Sequence, residues 1–357
     1  MADRLGADPV AGVTDPAHSA VARLVRAAAL PAVKQWTPVR GGANNRVFCG
    51  LAGPTRVLLK IYFCGEGDHR DRLRGENFFY GLAKKAGVRS LPEALGWDPD
   101  HRLGLFSFIE GRKLQADQVT AEHVRCAGRF IVRVNEVLDP ENCPADSPIA
   151  SEACFCLHQH LDLVQARLDR LRGLPARDRL DREASSWIAN ELTPAWHQVR
   201  QEALARAAEG GLDPRTPVPP GQRWISPSDF GFHNALLENG GNLKFFDFEY
   251  AGWDDPAKLV CDFFCQLAVP VPFTYWREFL GVLQKARGWN SLVEKRAKIL
   301  LSVYRIKWCC IALNDFLAPE AARRNFSAGG AGDRRSAQLV KAQGCLRETE
   351  LTQGAKT

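Results

Sequence analysis

No apolar run in the chain is long enough to cross a bilayer as a helix, which takes about 20 consecutive residues. The opening stretch MADRLGADPVAG lacks the apolar stretch of a secretory signal. A cytoplasmic protein without membrane contact is therefore the expectation. Charge of one sign is never concentrated either. The 47 Lys and Arg exceed the 41 Asp and Glu to leave a net +6, spread without any long block. That balance reads as a solvated surface, not as a nucleic-acid or membrane footprint. The 11 cysteines show no paired C-x-x-C spacing; Cys154 and Cys156 are separated by one residue, and Cys309 and Cys310 are adjacent. A zinc site and a small disulfide scaffold are both excluded, and most of these thiols are expected as reduced core residues. No internal repeat is present, and nothing in the pattern speaks to oligomeric state.

What is present is ordinary globular material. Apolar residues make up 45% and charged residues 25%, and 357 residues can enclose more than one hydrophobic core. Residues 1–16, rich in Gly, Ala, Pro and Asp, read as a loose leader, and a helical stripe of Val21, Leu24, Val25 and Ala28 follows. VFCGLAG and TRVLLKIYF are strand-like, with a turn over Gly50 to Pro54. A helix is expected from Asp71 to Ala86, closed by Gly87, and then short strands around Leu95 to Trp97 and Leu103 to Ile109. The texture turns helical over 117–137, 151–173 and 183–209, returns to strands from Trp224 to Phe248, and is helical again from Pro256 to Leu317. These segments predict an α+β architecture of two lobes. Residues 17–110 would form a small strand-rich lobe, residues 111–320 a larger mainly helical one, and 321–357 a polar tail, partly helical or mobile. A cleft between the lobes is the expected ligand site.

The segment ISPSDFGFHNALLENGGNLKFFDFEYAGWDDPAKLVCDF carries the most chemistry. Its ENGG is a hairpin signal, so Asn234 at the start of the hairpin and Asp247 at its end can face one point beside Asp229. Converging oxygen-bearing side chains suit a hard cation such as magnesium and a reacting hydroxyl. Asp and Asn near turns usually serve turn chemistry alone; the other end of the chain weighs against that here. In RGGANNRVF the pair Gly41 and Gly42 would let backbone N–H groups approach phosphate oxygens closely. Lys60 lies within an apolar strand, VLLKIY, where its charge needs a partner, and Glu76 on the following helix can supply it. A strand lysine paired with a helix glutamate is the phosphate-holding arrangement of protein kinases.

With these motifs together, the sequence resembles the aminoglycoside phosphotransferase and choline kinase group of the protein-kinase-like superfamily, from about Trp36 to about Leu317. RGGANNRVF is similar to that group's glycine-rich loop, with Asn45 at its usual asparagine, and SDFGFHNAL is similar to its catalytic loop. The resemblance implies an ATP- and magnesium-dependent transfer of the γ-phosphoryl group to a hydroxyl of a small molecule, aminoglycoside-, amino-alcohol- or sugar-like. It implies Asp229 as catalytic base or hydroxyl-orienting residue and Asn234 and Asp247 as magnesium ligands. Lys60 would hold the α- and β-phosphates, Glu76 would orient Lys60, and backbone groups at Ile109, in the FIEG hinge, would meet adenine. Three positions depart from the group: Pro227-Ser228 replaces its His-Gly pair, Gly231 replaces a further histidine, and His233 stands beside Asn234, where a structural role is expected. Trp253, Asp254, Trp308 and Asp315 are candidate walls of the acceptor site. The alternative is a catalytically inactive nucleotide-binding or scaffolding module; the presence of Asp229, Asp247 and Lys60 together argues against it. A protein kinase is disfavoured because DFEYAGWDDP leaves no room for a long activation loop.

Overall fold

Alternation along the first strand-rich stretch builds one sheet and assigns its faces. A computed structural model describes residues 15–39, 45–65, 70–138, 147–317 and 334–354. Strands β1 (Trp36–Pro38), β2 (Arg46–Ala52), β3 (Thr55–Ile61), β4 (Ala94–Asp98) and β5 (Leu103–Ser107) form an antiparallel sheet in the order β1-β2-β3-β5-β4. In β3, Val57 and Leu59 point to a core completed by Ala20, Val21, Leu24 and Val25 of helix α1 (Asp15–Ala27). Successive strand residues face opposite sides, so Lys60 comes out on the other face, paired across the ladder with Val47 and Gly104. Helix α2 (Arg72–Lys85) covers that second face. Its N-cap is Asp71, whose side chain accepts from the Arg74 N–H at 3.0 Å. Gly87 at φ +65° ends it with the left-handed residue that a helix C-terminus favours. At Gly75 of α2 a Cβ would lie 3.0 Å from the Glu249 carbonyl oxygen, so this glycine brings the helix against the backbone of the other lobe.

The second lobe is built on helices α3 (Ala121–Asn135), α4 (Leu157–Arg172), α5 (Arg179–Trp187), α6 (Thr193–Glu209), α7 (Pro256–Cys265), α8 (Trp276–Leu283) and α9 (Ser291–Ala312). The helical stretch expected over 183–209 is α5 and α6, joined by a π-helical turn at Ile188–Leu192. Pro194 explains it, because a proline near the start of α6 has no N–H for the α-helical ladder. The second strand island is two small pairs: β6 (Trp224–Ser226) with β9 (Gly252–Asp254), and the hairpin β7 (Ala235–Leu237) with β8 (Leu243–Phe245). Strand β9 falls between the strands expected up to Phe248 and the helices expected from Pro256, in a stretch given no element.

The tail corrects its expectation in part. Residues Arg335–Gly354 form helix α10, and Leu339, Ala342, Cys345 and Leu346 are buried in the main core against α9. Cys154, Cys261, Cys265, Cys309, Cys310 and Cys345 are buried free thiols, as the cysteine spacing led one to expect. Just past the hinge, Arg112 and Leu237 exchange backbone bonds of 3.0 and 2.8 Å, which fix the start of the second lobe on β7. A Cβ at Gly111 would sit 2.9 Å from the Leu237 carbonyl oxygen, which fixes this crossing as a close backbone approach.

Candidate active site

Lys60 is where the lobes meet electrostatically. It is almost wholly buried and shared between two carboxylates, Glu76 Oε2 at 2.6 Å and Asp247 Oδ1 at 2.5 Å. Burial alone would push its ammonium down, but Asp247, Glu76 and Glu249 outweigh that and hold it well above its ordinary value. Glu76 is fixed in turn. Its Oε2 accepts from Tyr62 Oη at 2.7 Å, and its Oε1 accepts from the backbone N–H of Phe248 at 3.2 Å. The expected lysine–glutamate pair is present, and it touches the segment expected to hold metal.

That segment places its side chains through the hairpin. The N–H of Phe246, after β8, donates to the Asn234 carbonyl oxygen at 3.0 Å, so the two ends of the hairpin lie side by side. Asn234 Nδ2 donates to the Asp229 carbonyl oxygen at 3.0 Å, which leaves its Oδ1 as the end able to ligate a cation. Asp247 sits at φ +69°, a left-handed conformation that aspartate tolerates better than most residues, and keeps 31% of its side chain exposed. Asp229, Asn234, Asp247, Lys60 and Glu76 are thus brought to one place.

The Asp229 carboxylate is 38% exposed and lies 3.0 Å from His233 Nε2. The protein around it would raise its carboxyl; the His233 ring and the Lys307 ammonium reverse this and keep it below the usual aspartate range. The histidine absent from position 231 has a steric explanation. A Cβ on Gly231 would come within 2.8 Å of His233 Nδ1, so the ring of His233 occupies that space.

Other sequence candidates fall differently. Asn45 is buried, but both ends of its amide are taken by protein: Oδ1 accepts from the Phe63 N–H at 3.0 Å, and Nδ2 donates to Glu249. Its side chain ties the residue before β2 across to Glu249, two positions past Asp247. Gly41 and Gly42 lie outside the described residues. Ile109 is half-buried beside the hinge. Trp253 and Asp254 are not acceptor walls: both are buried in β9, and Asp254 is held by Lys258 at 2.7 Å. Asp315 is also largely enclosed, 3.6 Å from Arg334. Trp308 donates to Asp262 at 2.8 Å. Asp255 caps α7 and takes both the Nε and one Nη of Arg296, the anchoring role its sequence position suggests.

The sequence left Glu249 open between a structural and a metal-side carboxylate, and it gave no sign of Tyr62, Lys258, Lys307 and Glu152 as neighbours of the site. Glu249 carried a signal, two residues past Asp247 in DFE, but nothing told a ligand from a structural carboxylate. It is buried, close to Arg72 at 3.7 Å, and burial together with Asp247 pushes its carboxyl up. Glu152 comes from a distant loop at φ +55° and pairs with Arg167 at 2.5 Å, a contact that no local pattern announces.

A small antiparallel lobe bearing a lysine–glutamate pair, joined to a helical lobe bearing an aspartate–asparagine–aspartate loop, defines the class of protein-kinase-like phosphotransferases. The model of the phosphotransferase enzyme family matches residues 35–298, and the chain belongs to that family. It is therefore an enzyme of the small-molecule kinase kind. No curated protein matches it in sequence. Among solved structures, a spectinomycin phosphotransferase in complex with ADP and spectinomycin is similar with a TM-score of 0.61 at 13% identity, over 93% of this chain and 98% of that one. The choline kinase of Streptococcus pneumoniae gives 0.55 at 14%, over 94% and 100%. An ethanolamine kinase of Plasmodium vivax gives 0.55 at 10%, over 88% and 82%. These likenesses concern the fold.

Proposed function

We propose that the protein transfers the γ-phosphoryl group of ATP to a hydroxyl of a small polar molecule, with magnesium as the metal. The observation that carries this reading is the convergence of Asp229, Asn234 and Asp247 of one hairpin segment on the buried Lys60–Glu76 pair of the other lobe. The donor set fits the metal: Asp247 and the Oδ1 of Asn234 are hard oxygen ligands. Magnesium bound there would neutralise charge on the phosphates. ADP and spectinomycin bound together in the spectinomycin phosphotransferase support a nucleotide and a small acceptor in one cleft.

The chain's own residues then have separable tasks. Lys60, held charged by its carboxylates, would lie along the α- and β-phosphates. Glu76 keeps it aimed, and Tyr62 keeps Glu76 in place. Asp229, ionised at neutral pH, would accept a hydrogen bond or the proton from the acceptor hydroxyl and turn its oxygen toward the phosphorus. Such a transfer asks little covalent chemistry of the protein, so positioning and charge supply most of the rate. The acceptor class is aminoglycoside-, amino-alcohol- or sugar-like. A coupled ATP-consumption screen over small hydroxyl compounds, with and without magnesium, tests the reading. Magnesium-dependent turnover with at least one compound supports it; a folded chain that binds no nucleotide contradicts it.

A further inference from the structure

The residue before Asp229 is held in a conformation it would not choose. Ser228 has φ +67°, where a glycine would sit without strain. A serine stays there only when its surroundings over-determine it. Three hydrogen bonds do so. Its N–H donates to Ser226 Oγ at 3.0 Å, its Oγ donates to the Ser151 carbonyl oxygen at 3.0 Å, and Lys258 Nζ donates to that same Oγ at 3.3 Å.

Lys258 is the unexpected member. It stands on α7 with no exposed side-chain surface, between Asp254 at 2.7 Å and Asp262 at 3.7 Å. Asp254 is itself fixed by the backbone N–H groups of Cys154 and Asp255. Asp262 has its own cation in Lys307, at 2.8 Å, and also accepts from Trp308. Two carboxylates and two ammonium groups balance, so the buried charge is compensated. An apolar side chain would fill the volume at lower desolvation cost. What a lysine adds is a rigidly held donor aimed at Ser228.

We propose that Lys258 and Ser228 are positioning residues that set the direction of the Asp229 carboxylate, in place of the His-Gly pair usual for the group. Lys258 fixes Ser228 Oγ, and Ser228 fixes the backbone turn in which the Asp229 N–H reaches the Pro227 carbonyl oxygen at 2.9 Å. The proposal rests on the reading of Asp229 as the residue that meets the acceptor hydroxyl.

Ser228→Ala in the full chain removes both Oγ bonds and leaves every charge in place. With a hydroxyl compound found by the screen, kcat should fall by about ten- to a hundredfold, the loss that misplacing a reacting group brings. KM for ATP should stay within about twofold of wild type, and the melting temperature should be little changed. The double variant Lys258→Met with Asp254→Asn removes the donor together with its partner's charge and should show the same split. An alanine variant with wild-type kcat would overturn the proposal alone. So would kcat, both KM values and melting temperature worsening together, since that marks a merely structural role. A wild-type chain that turned over no hydroxyl compound, or an Asp229→Asn chain as fast as wild type, would overturn the functional reading and this proposal with it.

Discussion

The Asp229 carboxylate is bonded to one imidazole and faces one buried ammonium, and together these set its charge. Because they hold its carboxyl below the ordinary aspartate range, it stays ionised from neutral pH down into mild acid, and activity should fall only below that range. Asp229→Asn keeps the shape and the bond to His233 but removes the basic oxygen. Turnover should drop by about two or more orders of magnitude with ATP affinity unchanged, read from steady-state rates beside nucleotide titrations. At this scale much was legible in the sequence. Lys60 could be singled out because a charge in VLLKIY is anomalous, and Asp229 because it precedes a hairpin with Asn and Asp at its ends. The fixation of Asn45 by Glu249 was not legible, since the partners are 204 positions apart and each looks like an ordinary polar residue.

At the scale of elements, the short strand pair β6–β9 carries the entry to the catalytic loop. Gly252 in β9 lies against the chain at 148–150, where a Cβ would come within 2.4 Å of the Ala150 nitrogen. Since backbone cannot yield as a flexible side chain does, Gly252→Ala should destabilise the fold by about 2 kcal/mol or more, visible as a lowered melting temperature. A variant melting with wild type would show that the 148–151 segment is not fixed there. The hairpin was readable because ENGG marks its turn between apolar residues. Strand β9 was not, because GWD is short and Asp254 at its end, with Asp255 after it, looks like a loop residue until Lys258 and Arg296 are placed beside the pair. The burial of helix α10 escaped for a similar reason: Leu339, Ala342, Cys345 and Leu346 are diluted among polar residues, and only α9 shows which face is buried.

Across the whole molecule, ion pairs link elements that lie far apart in the chain. Burial would raise the Glu152 carboxyl, but Arg167 on α4, with Lys307 on α9 and Lys258 on α7, brings it down to about 2. A depressed folded value means this contribution is complete above the group's usual 4.5 and is lost as pH falls toward 2. The contribution is at most about 3 kcal/mol. Melting temperatures of wild type should therefore fall across that interval, and Glu152→Gln should reduce the slope; equal slopes would remove Glu152 from the linkage. The two-lobed plan was legible in the sequence because the texture changes near Glu110-Gly111, where the strands of the antiparallel sheet give way to helices. We propose that Asp247 and Lys60 form one nucleotide site across the lobes. Calorimetric titration with ATP, with and without magnesium, of wild type, Lys60→Ala and Asp247→Ala tests it most directly. Asp247→Ala should lose the magnesium-dependent part of binding, while Lys60→Ala should bind more weakly but keep the magnesium requirement. An Asp247→Ala chain that bound magnesium-ATP like wild type would contradict it.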